Sequence, residues 1–147
     1  MPIDLLSPDL AMSLKLDPYA PRAARYHVAQ VDRPSPDLRD AVVLLTSELV
    51  TRAVQHGDPG EATLELRAWM PEDVVRVELR GPHKNLDLPV GEDTRDYSLL
   101  LLDELADRWS LEESGQLACM WFEIDRHPQR TAGAGSSNGA GASSLSS

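Results

Sequence analysis

Between Ala62 and Leu79 apolar residues recur at every second position, a period that no helix can satisfy. Ala62, Leu64, Leu66 and Ala68 alternate with Thr63, Glu65, Arg67 and Trp69, and after Met70-Pro71-Glu72-Asp73 the pattern resumes with Val75, Val77 and Leu79. Successive side chains of a strand point to opposite faces, so this stretch predicts two antiparallel strands with one buried face. A closing hairpin is expected from Ser110–Glu112, a Glu113-Ser114-Gly115-Gln116 turn and Leu117–Asp125, with Ala118, Met120, Phe122 and Ile124 on one side. Met12, Leu14 and Leu16, alternating with Ser13 and Lys15, predict a short edge strand near the start.

Helices fill the intervals. Asp17-Pro18 and the apolar-plus-small spacing through Ala24 and Val28 predict one to about Val31. Ser35-Pro36-Asp37 offers a capping hydroxyl, a Pro suited to the first helical position and an acid where the helix dipole favours negative charge. The long helix that starts there is expected to run through Leu45 and Leu49 to about His56, where Gly57-Asp58-Pro59-Gly60 stops it. Gly81 to Arg95 reads as a long loop, and a second long helix, capped by Ser98, is expected from Leu99 to Trp109. Strand, helix, helix, two strands, loop, helix, two strands is the order of an α+β sandwich, a mixed and mainly antiparallel sheet covered on one face by helices.

Composition narrows the function. A chain of 147 residues with 41% hydrophobic and 26% charged residues supports one compact domain. That domain is expected over residues 12–126, between a flexible segment at 1–11 and a Gly/Ala/Ser-rich tail at 127–147 too poor in apolar residues to order itself. A formal net charge of −10 repels phosphate backbones and anionic lipid, which argues against nucleic-acid and membrane partners. One cysteine, Cys119, forms no internal disulfide and has no neighbour at metal-ligand spacing, and no apolar run is long enough to cross a bilayer; a cytoplasmic protein without a metal site is expected. His27, His56, His83 and His127 are scattered, and no nucleophile-elbow pattern marks a hydrolase triad.

The long helix carries the one constellation of interest. At about 100° per residue, Glu48, Arg52 and His56 fall in one wedge beside the apolar stripe of Leu38, Leu45 and Leu49. The plain reading is an i,i+4 ion pair worth about 0.2–0.5 kcal/mol, with His56 at the negative end of the helix dipole. The alternative is a carboxylate and a guanidinium facing a pocket beside the sheet. Spacing alone leaves both open.

Four segments together resemble the bacterial anti-sigma-factor serine kinase family, whose members carry a histidine-kinase-like ATPase domain of the Bergerat, or GHKL, type. They are Glu48-Leu-Val-Thr-Arg-Ala-Val-Gln-His56-Gly57, Val75-Arg-Val-Glu-Leu79, Leu99-Leu-Leu-Leu-Asp-Glu-Leu-Ala-Asp-Arg-Trp109 and Met120-Trp-Phe-Glu123. The resemblance covers about residues 21–125, and the segments occur in the family's order. It implies a nucleotide site near Glu48, Arg52, His56, Gly81, Asp96 and Ser98, with Glu48 as the catalytic residue of any remaining activity.

The motifs depart from the family at three places. Arg52 stands where an Asn oxygen holds the magnesium of ATP, and Arg has donors but no acceptor. Gly81 stands where an Asp receives the adenine amino group, and Asp96-Tyr97-Ser98-Leu99 replaces a Gly-x-Gly-Leu that would let backbone amides approach phosphate. Asp96 and Ser98 are also ordinary helix caps. The resemblance therefore implies no bound cofactor, with weak ATP binding through Arg52 as the residual expectation. It implies a regulatory module that binds a sigma factor or a STAS-type anti-anti-sigma protein; the alternative is an active ATP-dependent protein-serine kinase. Trp69 and Trp121 fall opposite the apolar alternation, where an exposed aromatic patch would be a contact surface. The family's dimers make a homodimer through this sheet region a second expectation.

Overall fold

The computed structural model describes residues 7–31, 36–56, 63–86 and 97–126. Their order is β1 (Leu10–Lys15), α1 (Ala20–Val31), α2 (Pro36–Gln55), β2 (Thr63–Trp69), β3 (Val74–Pro82), α3 (His83–Leu86), α4 (Tyr97–Leu105), β4 (Arg108–Ser114) and β5 (Leu117–Asp125). The strands form one five-stranded sheet in the order β1-β2-β3-β5-β4. Every pairing is antiparallel, so the sheet is not mixed, as the sequence reading allowed, and the class is α+β.

Register follows from the alternation. Met12 faces Leu66, Leu66 faces Leu79, Leu79 faces Met120, and Met120 faces Leu111, a continuous apolar row across all five strands. A one-residue slip anywhere would turn such a row to water. This face closes a single core with Ala20, Ala24 and Val28 of α1, Val42, Leu45, Leu49, Val50 and Ala53 of α2, and Leu102 of α4. The buried positions of α2 recur at three and four residues, the stripe a helix needs to lie on a sheet.

The opposite face is a lattice of charge. Across one row Arg108 faces Glu123, Glu123 faces Arg76, and Arg76 faces Trp69; beside it Arg67 faces Glu78 and Arg80 faces Glu65. Opposite charges at such cross-strand sites are favourable pairs. Arg76 donates to Glu123 at 2.8 Å and to Glu78 at 2.9 Å, and its guanidinium stacks 4.3 Å from the Trp121 ring centroid. Burial opposes the Arg76 charge, but the bonds to Glu123 and Glu78 outweigh it and raise its pKa. The expected exposed aromatic patch is absent: Trp69 is only 3% exposed, and Trp121 is half-buried under Arg76.

Several boundaries differ from the sequence reading. β1 begins at Leu10, inside the segment expected to be flexible, because Asp9 donates its N–H to the Ala68 carbonyl and its carboxylate receives the Met70 N–H at 2.6 Å. β3 runs through Gly81 and Pro82, where a loop was expected, since both residues continue the pairing to Ala118 and Leu117. α4 ends at Leu105 instead of reaching Trp109; the Asp107 N–H already donates to the Glu123 carbonyl, and Trp109, in β4, faces Phe122 of β5. The Trp109 indole still touches the helix, donating to Asp103 at 3.2 Å. Ser98 is the second residue of α4 and buried, not its cap. The closing turn is the two residues between Ser114 and Leu117, and Gly115 takes the positive φ of 64° that a tight hairpin demands. The Ser35 cap, the Gly57–Gly60 stop, most of the loop through Arg95, and the 127–147 tail lie outside the described residues.

Candidate functional site

Glu48 and Arg52 lie one turn apart in the C-terminal half of α2, and His56 follows just beyond the helix end, its N–H donating to the Arg52 carbonyl at 3.2 Å. Burial grades them: Glu48 is half-exposed, Arg52 is 8% exposed and His56 is exposed just beyond the helix end. Arg52 has an interaction within the protein and is not free. A guanidinium taken from water needs such compensation, because an isolated buried charge is strongly unfavourable. The helix is straight-forwardly tied along its back: Ser47 donates its hydroxyl to the Leu44 carbonyl, and Thr51 donates to the Ser47 carbonyl at 2.7 Å.

What holds the end of α2 is a residue the sequence did not announce. Asn85, in the short α3, is 1% exposed, and its amide donates to the carbonyls of Ala53, at 2.8 Å, and His56. The last carbonyls of a helix lack intrahelical partners, so this side chain caps α2 from a distant segment. Its Oδ1 is buried with no hydrogen-bond partner among the described residues. The segment is held on its other side by the His83 N–H, which donates to the Gln116 carbonyl at 2.7 Å. No local pattern signals such a cap, since Asn85 falls in the stretch that reads as a long loop.

Gly81 lies on the helix-facing side of β3, hard against β2. A Cβ there would meet Leu64 Cδ1 at 2.8 Å and the Thr63 carbonyl oxygen at 3.3 Å. The position expected to answer to the adenine-binding Asp therefore has no room for a carboxylate without displacing the core. Ser98 is buried at the start of α4, which packs on α2, while Asp96 lies outside the described residues.

The magnesium nucleotide that the resemblance implies does not fit these residues. Magnesium needs oxygen ligands at about 2.1 Å, whereas Arg52 offers donors and a fixed positive charge. Among the described residues no group of three or more His, Cys, Asp or Glu is placed to hold a metal ion. Nor is Cys119 set up as a nucleophile: burial, with Glu78 nearby, pushes its thiol up and away from the thiolate. Among the described residues no helix is long and apolar enough to cross a membrane. No protein-family model and no curated protein matches the chain.

Proposed function

We propose that this chain is a regulatory protein-binding module on a scaffold resembling the anti-sigma-factor serine kinases of the GHKL type, which holds a sigma factor or a STAS-type anti-anti-sigma protein without phosphorylating it. The observation that carries the reading is Arg52, buried and engaged at the α2 position where the family resemblance calls for a metal-binding oxygen. Gly81, with no space for the base-binding carboxylate, supports it independently. With the metal and base contacts both replaced, the remaining use of the fold is its surface.

The test is incubation of the purified chain with ATP, Mg²⁺ and candidate sigma factors and STAS proteins. Complex formation that ATP leaves unchanged is the expected outcome. Phosphoserine formation that Glu48→Ala abolishes would instead make the chain a kinase.

A further inference from the structure

We infer that the outer edge of β4 is the docking surface of the module and that it receives an extended, basic segment of the protein partner as a sixth strand. This inference rests on the reading of the chain as a binding module and names where it binds and the chemistry of what it takes. In the order β1-β2-β3-β5-β4 the last strand pairs with β5 on one side, and among the described residues no strand lies on its other side. β4 is regular from Arg108 to Ser114, each residue matched to one of β5 without a bulge, so its outward N–H and C=O groups form an even row. Main-chain hydrogen bonds from an added strand complete such a row. The apolar side is incomplete at this edge as well. Trp109 and Leu111 pack against the core but stay half-buried, whereas Met120 and Phe122 beside them in β5 are 1% and 0% exposed.

Charge selects the occupant. Arg108 is neutralised from within, donating to Glu123 at 2.7 Å and to Asp125. Glu112 and Glu113 are exposed on opposite faces of the strand. Glu112 accepts the uncharged Trp121 indole N–H at 3.1 Å, and Glu113 faces His83 Nε2 at 2.8 Å. Lysine or arginine on an added strand meets Glu112 on the outer face and Glu113 toward the strand's end, while apolar residues between them cover Trp109 and Leu111. An acidic strand brings like charges to the same places, and the chain's net charge of −10 acts in the same sense, drawing a basic segment in. The opposite edge offers less. β1 ends on an exposed Lys15, a residue type that blunts sheet edges, and packs against α1.

The experiment titrates the isotope-labelled full chain with a synthetic peptide alternating Lys and Val, with its Glu/Val twin, and with a fully N-methylated Lys/Val copy that has no main-chain donor. Amide shifts and amide hydrogen exchange are followed by NMR. The Lys/Val peptide should shift residues 108–114 and slow exchange of their outward amides about fivefold or more. Its affinity should fall about tenfold between about 50 and about 300 mM salt. The N-methylated copy should bind about tenfold more weakly. Glu112→Gln with Glu113→Gln should weaken the Lys/Val peptide about fivefold with thermal melting nearly unchanged, since both side chains are exposed and an amide oxygen still receives the Trp121 indole. Equal binding of the Glu/Val twin, undiminished binding of the N-methylated copy, or shifts centred outside β4 would each overturn the inference. Protection of β4 that rises with the concentration of the chain alone would make a second copy the occupant and overturn it too. If sigma or STAS complexes form while the β4 amides exchange as in the free chain, this inference fails and the module reading stands; peptide docking on β4 without any such complex sinks the module reading alone.

Discussion

The closing hairpin β4–β5 and the junction where β3 leaves the sheet beneath the end of α2 are built in opposite ways. The hairpin is local and regular. Seven consecutive residue pairs connect its strands from Arg108↔Glu123 to Ser114↔Leu117, Gly115 makes the turn, and Phe122 and Met120 anchor it to the core. The junction gathers pieces from far apart: Gly81 pressed on Leu64, and Asn85 reaching Ala53 and His56 across 32 and 29 residues of sequence. It also contains Gly81, one of the positions at which the proposed family reading finds a nucleotide motif replaced. The contrast teaches that the ordinary periodic framework survives where neighbours dictate it, while the residues at the junction answer to packing among distant segments.

Phe122→Ala attacks the hairpin's anchor and should have the largest effect, about 3–5 kcal/mol of stability lost by chemical denaturation, since the ring is fully buried. A loss below about 1 kcal/mol would mean the hairpin is not part of the core. Gly81→Asp puts back the carboxylate that the family resemblance calls for. It should destabilise the fold by about 1–3 kcal/mol by overpacking against Leu64 and should not create ATP affinity; a stable variant that binds ATP would erase the distinction drawn at the junction. Asn85→Ala removes the distant cap and should cost about 1–2 kcal/mol. Hydrogen exchange should quicken in the last turn of α2 and not in β4–β5, which separates the two regions directly.

The smallest effect is expected at Asp107, which starts the hairpin. Burial holds its carboxyl above the ordinary aspartate range, the Asp125 N–H opposes that shift, Asp125 charge adds to it and Arg108 opposes it. The folded chain therefore takes up this proton at higher pH than the unfolded chain, and stability from this group rises as pH falls through the raised value. Asp107→Asn keeps an acceptor for the Asp125 N–H, now at 2.7 Å, so stability at neutral pH should change by less than about 0.5 kcal/mol while that acid-range gain disappears from the denaturation profile.

The sheet was legible in the sequence because a two-residue period admits one burial pattern: Leu64, Leu66, Val75, Val77, Leu79, Met120 and Phe122 all face the core as read. The end of α4 was not legible, because Leu105, Ala106 and Trp109 keep helical spacing, and only the pairing of Trp109 with Phe122 in the folded sheet places it in β4. Gly81-Pro82 looked like a loop because both residues commonly break strands; the partners that hold them in β3 are more than thirty residues downstream. The wedge of Glu48, Arg52 and His56 was visible from angle arithmetic, but the burial of Arg52 depends on elements that angle arithmetic does not contain. Asn85 carried no local signature at all, since its hydrogen bonds exist only in the folded chain.

The proposed reading takes the end of α2 as a structural junction held by Asn85 in place of a magnesium-nucleotide site. Isothermal titration calorimetry of the full chain with ATP and Mg²⁺ tests it most directly. No binding heat at micromolar ATP is the predicted result; saturable Mg²⁺-dependent binding with micromolar affinity, lost on Arg52→Ala, would contradict it.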